Sequence, residues 1–385
     1  MTDVKVLIIG AGWAGATVCE MLERNGIKSE IFEATDKVGG HSRSEIINGI
    51  IYEPNGPHIF HTSNEKVNKF VNQYGMNREF KHQVKTRIYP KSLKGESKLV
   101  SWPPQVDELK NFEEWGSIKE ELNSLPKVIN QENFETYAIS IMGSTLYSLF
   151  IEGYTYKQWG VEGSKLSSEF APKRIDLRND GNKNLFNDTY EYFHPNGSGE
   201  IIEKILENKL INFNSKINID SLEELSSHYD HIVITAPLDD FLNKKEKLPW
   251  RGIKSEPKYF ENESFNTESY QINHPSLNEK FTRTVETKHA SGQNINGTVV
   301  CKEYSFPDIR HYPILGKDGK SKKYNNELKN EIVRINDSKN NIHFCGRLAN
   351  YQYINQDQAL EQGMQTAKNI SPSSATHNTN SLGSD

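Results

Sequence analysis

Val4-Lys5-Val6-Leu7-Ile8-Ile9-Gly10-Ala11-Gly12-Trp13-Ala14-Gly15 decides the fold of this chain. Its first six residues are apolar apart from one lysine and rich in β-branched side chains, which is how a buried parallel strand reads. A helical pattern begins among the glycines and runs to Asn25-Gly26, a C-terminal stop. Ser29-Glu30-Ile31-Phe32-Glu33 reads as a second strand, so a βαβ unit stands at the start. A lone GxGxxG is weak evidence, but here it lies between strand and helix and an acid follows. Gly10 permits the tight turn, Gly12 lets backbone approach a pyrophosphate, and Gly15 lets helix pack on strand. The helix N-terminus offers amide donors and a positive dipole end. Glu33 closes the second strand, where a carboxylate accepts both ribose hydroxyls. Gly10, Gly12, Trp13, Ala14, Gly15 and Glu33 are therefore the expected dinucleotide site.

Further along, Gly39-Gly40-His41 follows Glu33 closely, and a second glycine pair there is typical of FAD-binding chains of the glutathione-reductase type. Val106–Leu125 reads as polar and helical. Phe134, Tyr137, Ala138, Ile141, Thr145 and Leu149 recur at three- and four-residue steps, the buried face of an amphipathic helix. His231–Ala236 is another buried strand, residues 257–312 alternate strands with polar loops, and Asn341–Cys345 reads as a closing core strand. Gly346-Arg347 and a helix from about Asp357, with Gln358 and Ala359, are similar to the part that holds flavin ribityl and pyrophosphate groups in such chains. The C-terminal segment thus completes the N-terminal nucleotide-binding unit, with other domains inserted between. Residues 371–385, rich in Ser, Asn and Thr, are expected to be disordered.

At 385 residues, two or three domains are expected. A mean hydropathy of −0.72 is polar, yet aromatics at 10% are spread along the chain, so it reads as globular. Forty-six basic and 51 acidic residues give a net charge of −5, which argues against a nucleic-acid binder. A few well-placed arginines still hold a diphosphate inside an acidic protein. No apolar run is long enough to cross a bilayer, and the start carries no signal-peptide pattern. Cys19, Cys301 and Cys345 are spaced for neither a zinc site nor a disulfide framework, and no metal-ligand cluster stands out. A reducing cytoplasm is the expected location.

Gly56-Pro57-His58-Ile59-Phe60-His61-Thr62 resembles the GPHIFHT signature of UDP-galactopyranose mutases. Gly153-Tyr154-Thr155-Tyr156-Lys157-Gln158-Trp159-Gly160 is similar to their GYTxKQWG. Lys173-Arg174 with Arg178, Asp188-Thr189-Tyr190-Glu191, Trp250-Arg251, Thr282-Arg283, Glu303-Tyr304-Ser305, Tyr312-Pro313-Ile314, Gly346-Arg347-Leu348 and Tyr351-x-Tyr353 continue the match in order. The likeness spans roughly residues 4–365.

The resemblance implies an α/β fold with a discontinuous Rossmann-like FAD-binding domain over 1–84, 195–240 and 318–370. It implies a helical domain over 85–150 and an antiparallel sheet domain, holding substrate, over 151–194 and 241–317. It also implies interconversion of UDP-galactopyranose and UDP-galactofuranose, a step in making cell-surface polysaccharide. In the family scheme the N5 of reduced flavin attacks the anomeric carbon, UDP leaves, and the adduct opens and recloses as the other ring size. On that scheme His58, lying against the flavin, and the diphosphate clamp Arg178 and Arg283 are catalytic. Phe150, Tyr154 and Trp159 frame the uracil, Tyr190, Tyr312 and Tyr353 reach the phosphates, and Asn273 contacts substrate. Gly39, Gly40, His41, His58, Gly346, Arg347, Tyr353, Asp357, Gln358 and Ala359 join the glycine motif around FAD. A reductant such as NAD(P)H charges the flavin, loops near 160–200 close over substrate, and a homodimer is common in the family.

The chain departs from the family at Glu286-Thr287-Lys288, Asn273-His274, His311-Tyr312-Pro313 and Phe193–Gly199. Relatives act on UDP-N-acetylgalactosamine or on dTDP-deoxysugars, so these changes leave the sugar open. An oxidoreductase of the amine-oxidase or protoporphyrinogen-oxidase type shares the N-terminal fold and remains the alternative from another class.

Overall fold

A computed structural model describes residues 4–173, 175–307, 309–336 and 341–371. Arg174 and the expected tail beyond Ser371 lie outside the described residues. Five parallel strands form one sheet in the order Asn341–Phe344, His231–Ile234, Lys5–Ile9, Lys28–Phe32, Ile211–Asn212. Val6, Leu7 and Ile8 are fully buried, as a central strand covered on both faces requires. The helices Trp13–Arg24 and Gln356–Ile370 cross each other over this sheet. Gly363 allows that contact: a Cβ there would stand 2.7 Å from Thr17 Cβ.

A second sheet has seven strands in the order Tyr312–Pro313, Trp250–Phe260, Thr298–Phe306, Arg283–Val285, Gln271–Asn273, Val84–Ile88, Lys98–Trp102. Its pairs are antiparallel except that Gln271–Asn273 runs parallel to Val84–Ile88. The mixed α/β class is the one the sequence implies. The helical unit expected to begin at residue 85 does not: Val84–Ile88 and Lys98–Trp102 are strands of this sheet. The alternation of Val84, Thr86 and Ile88, buried on one face, is the period-two signal that the boundary cut through.

The helical part runs Val106–Leu109, Trp115–Asn123 and Phe134–Tyr147, then through a π-helical turn at Ser148–Glu152 into Gly153–Trp159. Asn133 caps the third of these: its side chain accepts from the Thr136 amide at 2.9 Å while the Thr136 hydroxyl takes the Asn133 amide. The buried face differs from the one that the spacing predicts. Phe134, Tyr137 and Ala138 are buried, but Ile141, Thr145 and Leu149 are only half-buried, and Met142, Leu146, Tyr147 and Phe150 take their place. Two features shift the phase. Gly143 stands at φ 78°, ψ 167°, outside helical space, and the π turn adds a residue to the next turn. Glu121 caps the restarted helix by accepting from the Thr145 amide at 2.9 Å and its hydroxyl at 2.5 Å. The phase shift carries Phe150 and Tyr154 to the cavity described below.

Gly143→Ala tests this. The φ/ψ at 143 is nearly glycine-only, and a Cβ would stand 2.6 Å from the Glu121 carboxylate. Urea unfolding of the variant is expected to show a loss of about 2 kcal/mol; an unchanged midpoint would show that the helix is continuous there.

Candidate functional site

The first part of the site is a cradle at the carboxyl ends of the parallel strands. Gly10 has φ 103°, and a Cβ on Gly15 would stand 2.0 Å from the Gly10 carbonyl, so neither position admits another residue without rearrangement. The Gly39-Gly40 turn folds onto this loop: Gly39 N–H donates to the Ala11 carbonyl at 2.9 Å, and a Cβ on Gly40 would lie 3.4 Å from Gly12 Cα. Glu33 is buried and ties the loop to its own strand. Its Oε2 accepts from Ala11 N–H at 2.9 Å and its Oε1 from Thr35 N–H at 3.0 Å and Thr35 Oγ1 at 2.7 Å. A carboxylate has further lone pairs, so a ribose still finds an acceptor. Trp13 Nε1 donates to Gln356 at 2.7 Å, which joins this helix start to that of Gln356–Ile370. There Asn355 and Gln358 form a capping box, and Asp357 Oδ1 is buried without a partner among the described residues. Two helix N-termini, a close-approach glycine loop and an unpaired buried carboxylate oxygen fit a dinucleotide with a pyrophosphate and hydroxyls.

Beside the cradle lies a cavity of about 220 Å³. It brings together His58, Phe150, Tyr154, Trp159, Asn273, Arg283, Tyr312, Arg347 and Tyr353 from the residues singled out in the sequence. One end is apolar and aromatic, with Trp102, Phe134, Phe150, Ile151 and Ile175, a surface suited to a planar base. Trp159, Tyr312 and Tyr353 form a cluster with centroids 5.6 to 6.1 Å apart.

The middle is cationic. Arg283 and Glu303 face each other on neighbouring strands, and Arg283 Nε donates to Glu303 Oε2 at 2.6 Å. Burial opposes the Arg283 charge, but the fully buried Glu303 outweighs it and keeps the guanidinium protonated. Arg347 is held by carbonyls instead: Nε donates to Ile354 O at 3.0 Å and Nη1 to His311 O at 3.0 Å. Its guanidinium lies 5.3 Å from the Tyr312 ring centroid and 5.8 Å from that of Tyr353. Gly56 leaves room at the same corner, since a Cβ there would stand 3.4 Å from Arg283 Nη2 and 3.5 Å from the Tyr312 hydroxyl. Two fixed cations and tyrosine hydroxyls suit a diphosphate.

Toward the cradle stands His58, half-buried. Burial first, then the charges of Arg347 and His311, push its pKa down to about 3, so it is neutral at working pH. His61 also lines the cavity, with Nδ1 2.7 Å from Asp188 and its ring stacked on Phe186 at 3.6 Å. His82, Gln271 and Asn273 complete this wall, and Gln271 Nε2 donates to Asn273 Oδ1 at 2.8 Å. Lys157, the lysine of the KQWG run, has a structural part. Its ammonium lies 2.5 to 2.9 Å from the carbonyls of His274, Ser276, Glu279 and Phe281, which share its three N–H donors, fixing the loop between the strands that carry Asn273 and Arg283.

Two of the residues expected to be catalytic or to bind substrate are not in the cavity. Arg178 is buried elsewhere, donating to Asp176 at 2.6 Å and to the carbonyls of Asn182 and Asn184 at 3.1 and 2.5 Å. Tyr190 faces outward, with its hydroxyl on Glu65 at 2.5 Å, on a strand edge whose other face supplies buried Glu191. His41 lies behind the cavity, with its ring 4.3 Å from that of His311. Gly346 has φ 84° at the turn before Arg347, and Ala359 packs against the core under the cradle. The sequence reading passed over Glu53, His82, Phe186 and Gln271 and gave Glu303 no part. An acid closing the apolar Ile50–Tyr52 strand is a readable signal for Glu53; the others depend on strand register. Among the described residues no group of three or more His, Cys, Asp or Glu is placed to hold a metal, and no helix is long and apolar enough to cross a membrane.

A Rossmann-like cradle beside a cavity with an aromatic end and a cationic middle defines an enzyme that works with an FAD-type dinucleotide. The comparisons with known proteins narrow this. The family model for UDP-galactopyranose mutase matches residues 149–353, and that for NAD(P)-binding Rossmann-like domains matches residues 8–74. The chain belongs to the UDP-galactopyranose mutase family, whose members are isomerases. It is 28% identical to a probable UDP-galactopyranose mutase of Klebsiella pneumoniae over 95% of this chain and 94% of that one. It is 29% identical to a dTDP-fucopyranose mutase of Escherichia coli over 94% of this chain and 97% of that one. A crystal structure of reduced UDP-galactopyranose mutase matches its fold with a TM-score of 0.75 at 17% identity, covering 95% of each chain.

Arg283→Met would leave Glu303 buried and unpaired, at an expected cost of about 3–5 kcal/mol in denaturant unfolding at pH 7.5. Burial already raises the Glu303 pKa, and losing Arg283 raises it further. A carboxyl raised above its unfolded value opposes folding when ionised, so the variant should regain stability as pH falls toward about 5. Arg283→Met/Glu303→Leu should recover most of the loss at both pH values. A single variant as stable as the parent would show that the pair is not buried.

Proposed function

We propose that this protein binds FAD in the cradle and, with the flavin reduced, interconverts UDP-galactopyranose and UDP-galactofuranose. The observation that carries the reading is the set of chemistries gathered in one cavity beside the dinucleotide cradle: an aromatic surface, two fixed arginines and a neutral His58. That set matches base, diphosphate, sugar and cofactor. In this reading the parallel sheet with its crossed helices is the cofactor domain, the helices of residues 106–159 hold the base, and the seven-stranded sheet holds the phosphates.

Reduced flavin, when bound, supplies a nucleophilic nitrogen for the anomeric carbon; the chain supplies everything else. Arg283, clamped by Glu303, and Arg347, clamped by carbonyls, stabilise the charge that grows on departing UDP and keep it in place for return. Tyr312 and Tyr353 add hydroxyl donors at the same oxygens. Phe150 and Trp102 anchor the base, so that binding energy far from the sugar orients it. His58, being neutral, offers a ring nitrogen to the sugar and cofactor as hydrogen-bond donor or acceptor and not as a charge. Arg178 joins the diphosphate in this account only if residues 176–184 rearrange, because its Nε and Nη1 donors are now spent on their own segment.

A second reading, the same reaction on a dTDP-6-deoxysugar, is favoured by one observation. The sugar end is walled by Phe186 stacked on His61, which presents carbon where a hydroxyl would want a partner. Dithionite-reduced protein should convert UDP-galactopyranose to its furanose, seen as a new chromatographic peak that is missing with oxidised flavin. Arg283→Ala should lower kcat/KM by about 100- to 1000-fold. Faster conversion of dTDP-fucopyranose would move the second reading to first place. No conversion of either sugar by reduced holoprotein would overturn both.

A further inference from the structure

Glu53 is buried at 2% exposure beside His58, and the mechanism above does not use it. Its Oε2 accepts the Tyr270 hydroxyl at 2.6 Å and the His58 backbone N–H at 3.2 Å. Its Oε1 has no hydrogen-bond partner among the described residues, and neither has His58 Nδ1. These two atoms stand 3.9 Å apart. Ser198 Oγ holds the His58 carbonyl at 2.8 Å, so the backbone is fixed on both sides and the ring is the part left to turn. Two buried, unpaired and complementary polar atoms about 1 Å beyond bonding distance make a contact that a small ring rotation closes.

We propose that Glu53 is a positioning residue for His58: its Oε1 pairs with His58 Nδ1 and so decides whether the other ring nitrogen, Nε2, faces the flavin and the sugar as donor or acceptor. This rests on the cofactor reading above. A neutral imidazole carries one proton. With Glu53 ionised, Nδ1–H donates to Oε1 and Nε2 is an acceptor. With Glu53 protonated, Oε1–H donates to Nδ1 and the imidazole proton sits on Nε2, which is then a donor. No proton is gained or lost by the ring in either state.

Glu53 is suited to this because burial raises its pKa to about 7, against the lowering bonds from Tyr270 and the His58 amide, with Glu303 adding repulsion. The groups facing the pair stay fixed over that range. From other elements Arg283 and Arg347 remain charged, and burial holds His311 at about 3 and His41 well below its ordinary value. Tyr270 and Cys301 are both pushed upward by burial. Glu53 is therefore the switch for His58 between about pH 6 and 8.

The test is long-range proton–nitrogen NMR of the FAD-loaded protein labelled with [15N]histidine, with the His58 signals identified by their loss in His58→Asn. Nε2 of His58 is expected to pass from a protonated to a bare nitrogen as pH rises, with a midpoint near 7. Glu53→Gln, checked for native flavin absorbance, should show no such exchange. Tyr270→Phe removes a donor to the carboxylate and should move the midpoint upward; it carries the test alone if Glu53→Gln does not fold. The same exchange persisting in Glu53→Gln, or a midpoint unmoved in Tyr270→Phe, would overturn the proposal. A chain that takes up no flavin would overturn the cofactor reading instead, and the tautomer exchange can still be read without it.

Discussion

The buried pair of Arg283 and Glu303 is the constraint around which the site is arranged. A guanidinium inside a protein needs a counter-charge, and one held 2.6 Å away across a strand pair leaves it no second geometry. The seven-stranded sheet supplies the rigid register that makes this possible. Arg347 is held differently, with carbonyls of Ile354 and His311 among its acceptors, and so adds a second fixed guanidinium to the cavity. An anion entering it completes the electrostatics. The burial that makes these charges expensive to hold also makes them effective on a leaving diphosphate, since a low-dielectric surrounding screens them less than water does.

The same economy appears in the helical part. A straight helix through residues 134–159 would present Ile141, Thr145 and Leu149 to the core. The break at Gly143 and the π turn at Ser148–Glu152 instead turn Phe150 and Tyr154 toward the cavity. Local helical regularity is given up where it aims two side chains. The Lys157 ammonium then ties that helix to the loop between the strands of Asn273 and Arg283, so base end and phosphate end are fixed relative to each other.

Much of this was legible in the sequence because short-range signals carry it. The strand–glycine–helix opening is local, as are Glu33, the Gly39-Gly40 turn and the GPHIFHT and GYTxKQWG runs. What was not legible depends on distance in the chain. The Arg283–Glu303 pair is a matter of strand register over 20 residues, and Glu53 meets Tyr270 across 217. The helix face was misread because one glycine in an unusual conformation leaves no mark on a periodicity count. The strands at residues 84–102 were placed in a helical unit because the strand that joins them to the rest of the sheet, Gln271–Asn273, lies 187 residues beyond Val84–Thr86. Arg178 and Tyr190 were placed by motif alone; the structure shows what they hold now, which a motif does not encode.

Positional isotope exchange tests the central claim most directly. UDP-galactose carrying ¹⁸O in the bond between the sugar and the β-phosphate is incubated with the protein and followed by ³¹P NMR. If the anomeric carbon–oxygen bond breaks and UDP stays clamped for return, the label spreads to the non-bridging β-oxygens, and only when the flavin is reduced. Label that stays in the bridge during turnover with reduced flavin would contradict a cavity built to hold departing UDP.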